Sequence, residues 1–235
     1  MGVLPRQAAI TIDGIPAVLW GPSSAHILIA VHGLMSRKDD TVIAVLAEAA
    51  VAKGYRVLSF DLPEHGARAG EDCACTPTNG VRDLLRIASY AAGLAPTVSL
   101  FACSLGAYFG LRAVASFKKA FFLSPMVDMQ RLIAGMMAAA GVDEARLAAE
   151  KHIPMPQGPA LDWDYYCDVK SHPITDWAVP TSILYGGRDA LMPREIIAAF
   201  AHRFGCDLRI LEDAEHFFHT YEQIAGYRKW LGDVL

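Results

Sequence analysis

Phe101-Ala102-Cys103-Ser104-Leu105-Gly106-Ala107 runs an apolar strand directly into a serine and then, with no spacer, into helix-forming residues. A serine on so tight a strand-to-helix turn projects its hydroxyl from the C-terminal edge of a sheet. The following helix supplies backbone N–H groups and the positive end of its dipole beneath it. Ala102 and Gly106 flank the turn because backbone must pass close on both sides.

Outward from this turn, strand-like and helix-like segments alternate. Ile27 to Val31, Arg56 to Phe60, Val98 to Cys103, Ala120 to Leu123 and Thr181 to Tyr185 are short, continuous apolar runs. Runs without polar alternation suit parallel strands buried on both faces. Ala8 to Asp13 and Ile15 to Trp20 flank Asp13-Gly14, a hairpin turn signal. Helices are expected over Asp40–Lys53, Thr78–Ala92, Leu105–Ser116, Arg194–Phe204 and Phe217–Leu231, with Gly54 and Gly93 as stops for the first two. The alternation implies an α/β protein with helices on both faces of the sheet.

Between Ser124-Pro125 and Val179-Pro180 the rhythm breaks for roughly fifty residues, too many for an ordinary connection. Asp128 suits the cap of a helix from Met129 to Ala140, and a shorter helix is expected over Glu144–Lys151. Ile153-Pro154-Met155-Pro156-Gln157-Gly158-Pro159 cannot be regular helix, and Trp163, Tyr165 and Tyr166 cluster after it. The segment, at about residues 126–178 of a single domain, reads as a lid over one end of the sheet.

The chain has 235 residues, 53% of them hydrophobic and 20% charged, with a net charge of −4. One domain with a large core is expected, and disorder is not. The dispersed charges argue against nucleic-acid binding, and no apolar run is long enough to span a bilayer. Met1 to Thr11 lacks a basic segment followed by an apolar stretch, so a cytoplasmic protein without a secretory signal is expected. Cys73, Cys75, Cys103, Cys167 and Cys206 are scattered and odd in number, which suits reduced thiols. No second pair accompanies Cys73-x-Cys75 at ligand spacing, so no metal and no cofactor is expected.

Three further strand ends carry polar residues. His32-Gly33-Leu34 follows Ile29-Ala30-Val31, Gly186-Gly187-Arg188-Asp189 follows Ile183-Leu184-Tyr185, and His216 follows Leu211-Glu212-Asp213-Ala214-Glu215. With the serine turn, this set resembles the α/β-hydrolase superfamily, in the subgroup of small lidded esterases, lipases and serine-aminopeptidase-like hydrolases. The order Ser104, Asp189, His216 is that family's order. Ala102 stands where its G-x-S-x-G motif begins with glycine. The resemblance covers nearly the whole chain. It implies a mostly parallel central sheet of about eight strands, with the helical lid after the sixth.

The resemblance also implies roles. Ser104 would attack an acyl carbonyl, His216 would carry the proton and Asp189 would hold the imidazole. The backbone N–H groups of Leu34 and Leu105 would bind the oxyanion. His219 competes for the role of base and Asp128 for that of acid, while His32 suits a brace for the oxyanion loop. Met126, Met129, Met136 and Trp163 suit an apolar wall over Ser104, with an apolar or aromatic acyl ester as the small-molecule substrate. Thioesters, peptides, C–C bonds and acyl transfer remain open on the same fold, as does a non-catalytic binding protein. The oligomeric state is not legible in the sequence.

Overall fold

The computed structural model describes residues 5–156 and 158–235. Residues 1–4 of the N-terminal stretch and Gln157 of the proline-rich stretch lie outside them.

An eight-stranded sheet organises the chain. Its strands are β1 (Gln7–Ile12), β2 (Ile15–Trp20), β3 (His26–Val31), β4 (Arg56–Phe60), β5 (Thr97–Cys103), β6 (Ala120–Leu123), β9 (Thr181–Gly186) and β10 (Asp207–Leu211). The spatial order is β1-β2-β4-β3-β5-β6-β9-β10. The β1–β2 hairpin and the β2–β4 pairing are antiparallel, and every other pairing is parallel. A separate two-stranded ladder joins β7 (His152–Ile153) to β8 (Leu161–Asp162).

The central strands are apolar throughout because both faces are covered. Ile27, Ile29 and Val31 of β3 enter one core, and Leu28 and Ala30 enter the other. The same alternation sends Leu100 and Ala102 of β5 one way and Phe101 the other. One core is closed by α1 (Thr41–Ala52) and α8 (Tyr221–Val234), which touch each other. The opposite core holds α2 (Pro77–Leu94), α3 (Leu105–Arg112) and α7 (Arg194–Phe204). The segment between β6 and β9 packs on that same side through α4 (Met129–Ala139), α5 (Glu144–Glu150) and α6 (Trp163–Ser171).

Several boundaries differ from expectation. Helix α8 begins at Tyr221, not Phe217, because Thr220 and Gln223 form a reciprocal capping box. Helix α2 runs through Gly93 to Leu94, so that glycine is not its stop. Helix α3 ends at Arg112, since Ala113 turns into extended backbone rather than continuing to Ser116. The cluster Trp163, Tyr165 and Tyr166 lies on a helix, α6, which Asp162 caps by accepting from the Tyr165 amide.

Candidate active site

Ser104 sits where β5 meets α3, with φ 49° and ψ −118°, a strained conformation for a residue with a side chain. Neighbouring backbone holds it there. Its amide donates to Leu123 O at 3.1 Å, and its carbonyl accepts from Met126 N at 3.2 Å and Ala107 N at 3.1 Å. Two glycines admit the turn. A Cβ on Gly106 would lie 2.5 Å from the His32 carbonyl oxygen, and one on Gly33 would lie 3.1 Å from Ser104 Cβ. At Ala102 the methyl is accommodated within the core.

A serine at this position commonly caps its helix, but the Ser104 hydroxyl makes no cap bond. It meets His216 Nε2 at 2.8 Å. On the far side of the ring, Nδ1 lies 2.6 Å from Asp189 Oδ2. A carboxylate only accepts, so Nδ1 carries the proton, and Nε2 is left to accept from Ser104. The Asp189 side chain is fully buried and both its oxygens are engaged, Oδ1 accepting from Leu191 N at 2.8 Å and Met192 N at 3.1 Å. The ring thus spans β6, linking the ends of β5 and β9.

Neither competing candidate joins this chain of contacts. Asp128 accepts from Arg131 N and caps α4. His219 stands in the loop before α8, not inside a helix, and its Nδ1 faces Phe217 O at 2.8 Å. Cys103 directs its sulfur toward Val31 O, and burial pushes its thiol up to about 12, as for an inert small side chain.

His32 is wholly buried and bonded at both nitrogens. Nε2 accepts from Leu62 N at 3.0 Å, so Nδ1 is the protonated nitrogen and donates to Gly33 O at 2.7 Å. Both bonds require the neutral ring, and burial pushes its pKa down to about 4. The Gly33 carbonyl and the Leu34 N–H belong to one trans peptide and point opposite ways. The bond that fixes the carbonyl therefore fixes the amide. Among the described residues, neither Leu34 N–H nor Leu105 N–H meets a protein acceptor.

Composition and spacing did not point to Lys38 as a member of this assembly. Its ammonium meets the buried Asp61 carboxylate at 2.6 Å, and its amide donates to the same carboxylate at 2.9 Å. Ala67 N adds a further bond at 2.9 Å. A Cβ on Gly66 would collide with that carboxylate at 2.3 Å, so glycine is required at this point, where φ is +55°. The loop beginning at Gly33 is thereby fastened to the end of β4. Arg68 continues the network, donating to Asp61 O and pairing with buried Asp83 at 2.7 Å.

The side chains expected to line a substrate wall are placed differently from one another. Met126 and Met129 are buried in the core, Met136 is partly buried against it, and Trp163 packs on Tyr166 and under Lys151. A cavity of about 360 Å³ between the insertion and α7 is lined by Tyr108, Met129, Phe200 and Arg203 among others, and by none of Ser104, Asp189 and His216. Arg112 of α3 pairs with Asp168 of α6 and ties the insertion to the helix that follows Ser104. Among the described residues, no cluster of His, Cys, Asp and Glu is arranged to hold a metal ion, and no helix is long and apolar enough to cross a membrane.

Residues 28–225 match the sequence model of the alpha/beta hydrolase family. The chain belongs to that family. Among solved structures it is similar to Est1E from Butyrivibrio proteoclasticus with ferulic acid bound, at a TM-score of 0.81 and 19% identity over 96% of both chains. It is also similar to alpha/beta hydrolase domain-containing protein 10 from mouse, at a TM-score of 0.80 and 14% identity over 97% of this chain and 98% of that one. A serine hydrolase without a lid from Xanthomonas campestris follows at a TM-score of 0.70 and 18% identity, over 99% and 95%. At such identities the likeness is one of fold. A search of curated protein sequences finds no match.

Proposed function

We propose that the protein is a serine hydrolase that cleaves carboxylic esters through an acyl-enzyme. The observation that carries this reading is the single imidazole, that of His216, held between Ser104 Oγ at 2.8 Å and Asp189 Oδ2 at 2.6 Å. Ser104 Oγ attacks the acyl carbonyl as its proton passes to Nε2, and the buried Asp189 stabilises the imidazolium. The Leu34 and Leu105 amides take the oxyanion, at positions where backbone alone supplies the donors. His216 then protonates the departing alcohol, and water repeats the sequence to free the acid. No step draws on anything beyond water.

One hydrolase domain with residues 126–178 as its insertion fits this reading. Five free thiols suit a reducing compartment. That Est1E holds ferulic acid favours apolar and aromatic acyl groups for this chain too. The test is a fluorophosphonate probe. Wild type should be labelled and Ser104→Ala should not; folded wild type that resists labelling overturns the reading.

A further inference from the structure

The sheet order puts Ser104, on β5, between two loops: the one after β3 on one side, and those after β9 and β10 on the other. Both sides present large apolar side chains to solvent. Met35 is 89% and Leu34 is 41% exposed on the first side, and Phe217 is 64% exposed on the second. The insertion's methionines nearest in sequence to this edge, Met126 and Met129, are by contrast only 4% and 6% exposed. Burial therefore explains the insertion methionines and leaves Met35 and Phe217 unexplained.

Two details argue that this exposure is maintained. Met35 has φ +61°, a left-handed conformation that costs a β-carbon-bearing residue energy and returns no packing. Phe217, the residue after His216, is stacked on the His219 ring, with centroids 5.5 Å apart and planes 12° from parallel, which holds its exposed ring in one orientation.

We infer that substrate selection is divided between these two exposed surfaces, Phe217 meeting the alcohol of the ester and Met35, with Leu34, meeting the acyl group. The inference rests on the acyl-enzyme reading above. In acylation the Oγ–C bond forms, the C–O bond to the alcohol breaks, and the serine proton travels through His216 to the alcohol oxygen. That oxygen must come within hydrogen-bond reach of Nε2, so the alcohol lies on the side of His216 and its neighbour Phe217. The oxyanion occupies the Leu34 and Leu105 amides. On the opposite side of Ser104, Leu34 and Met35 directly follow Gly33, whose backbone lies against the nucleophile, and offer exposed apolar surface to the acyl chain. In deacylation water attacks, the C–Oγ bond breaks and Ser104 recovers its proton through His216. The alcohol has gone by then, so Phe217 governs acylation only and Met35 governs both steps.

The experiment is a matrix of esters assayed with wild type, Met35→Ser, Phe217→Ser and the apolar replacements Met35→Leu and Phe217→Leu. Met35→Ser should lower the octanoyl-to-acetyl ratio of kcat/KM by about fivefold and slow octanoyl-enzyme breakdown, with the benzyl-to-methyl alcohol ratio moving less than about twofold. Phe217→Ser should do the reverse and leave octanoyl-enzyme breakdown unaltered. The leucine variants should restore each ratio. Both ratios moving together in each variant, or neither moving, overturns the division. Fluorophosphonate labelling of the same preparations separates the two readings: labelled enzyme with unmoved ratios defeats this inference alone, and unlabelled folded wild type defeats the hydrolase reading with it.

Discussion

The Nδ1–H of His32 donates to the carbonyl oxygen of Gly33 at 2.7 Å, and the same peptide unit carries the Leu34 N–H, while Gly33 itself lies against Ser104. A buried neutral histidine thus sets the plane of the peptide proposed to receive the oxyanion. Removing the ring should act twice. His32→Ala leaves Leu62 N–H and Gly33 O without partners, at about 1–3 kcal/mol each. It should also lower kcat by roughly tenfold to a hundredfold, below the loss of a whole oxyanion donor. Denaturant melts and steady-state kinetics on one preparation separate the two effects.

The same residue predicts an acid sensitivity. Its folded pKa of about 4 lies below its ordinary value of 6.5. Between those values the unfolded chain binds more protons than the folded one, so stability rises with pH across that window. The contribution is complete above pH 6.5 and is lost as pH falls through about 4, reaching roughly 3 kcal/mol. Denaturant midpoints of wild type should therefore fall steeply between these limits. His32→Gln should start lower and show a flatter dependence, and parallel curves would contradict the assignment.

Ser104→Ala should abolish ester hydrolysis, by about 10⁴-fold or more, while leaving the melting temperature unchanged or raised. Alanine keeps the β-carbon and with it the cost of the positive φ, so any increase would come from removing a hydroxyl held for catalysis rather than for stability. Calorimetry beside activity checks it.

Asp61→Asn keeps the shape of the carboxylate but strips Lys38 of its counter-charge in a mostly buried site. A loss of about 3 kcal/mol is expected, a fall in melting temperature of roughly 6–12 °C for a chain of this size. Because Lys38 anchors the loop that begins at Gly33, kcat/KM should fall too. The gap between wild type and variant should persist at high salt, where screening would narrow it for a surface pair.

Two glycines should behave oppositely. Gly106→Ala would press a methyl against the His32 carbonyl oxygen, 2.5 Å away, and that backbone cannot yield without moving the serine turn. Gly135, within α4, has open space where a Cβ would stand. Gly135→Ala should stabilise by about 0.5–1 kcal/mol, and Gly106→Ala should destabilise and lower activity together. Thermal melts of the two variants decide it.

The parallel strands were legible because burial on both faces leaves no polar position, so Ile27–Val31 and Ala120–Leu123 stand out from their surroundings. Of the proposed triad, Ser104 and Asp189 follow such runs, whereas His216 follows β10, whose Asp207–Leu211 alternates polar and apolar residues. Helix α6 escaped notice because its aromatic and acidic residues carry little periodicity, and contacts with α2 and α4 complete its support. The late start of α8 was readable in Thr220-x-x-Gln223, a local signal outweighed by the apolar Phe217-Phe218 before it. Nothing local could mark Lys38, since its partner Asp61 arrives from another strand's end. The exposure of Met35 was equally hidden, because it depends on the backbone hand at that one residue.

Because β6 and β9 are parallel neighbours, the chain leaves one end of the sheet at Leu123 and must re-enter at the other before Thr181. The helices between them therefore double as the bridge that threads β9, and parallel neighbours need a dozen or more residues for that journey. Such a segment can be swapped for another of ample span, but cutting it out would unthread the strand that delivers Asp189. Variety in this region is thus open to exchange and closed to deletion.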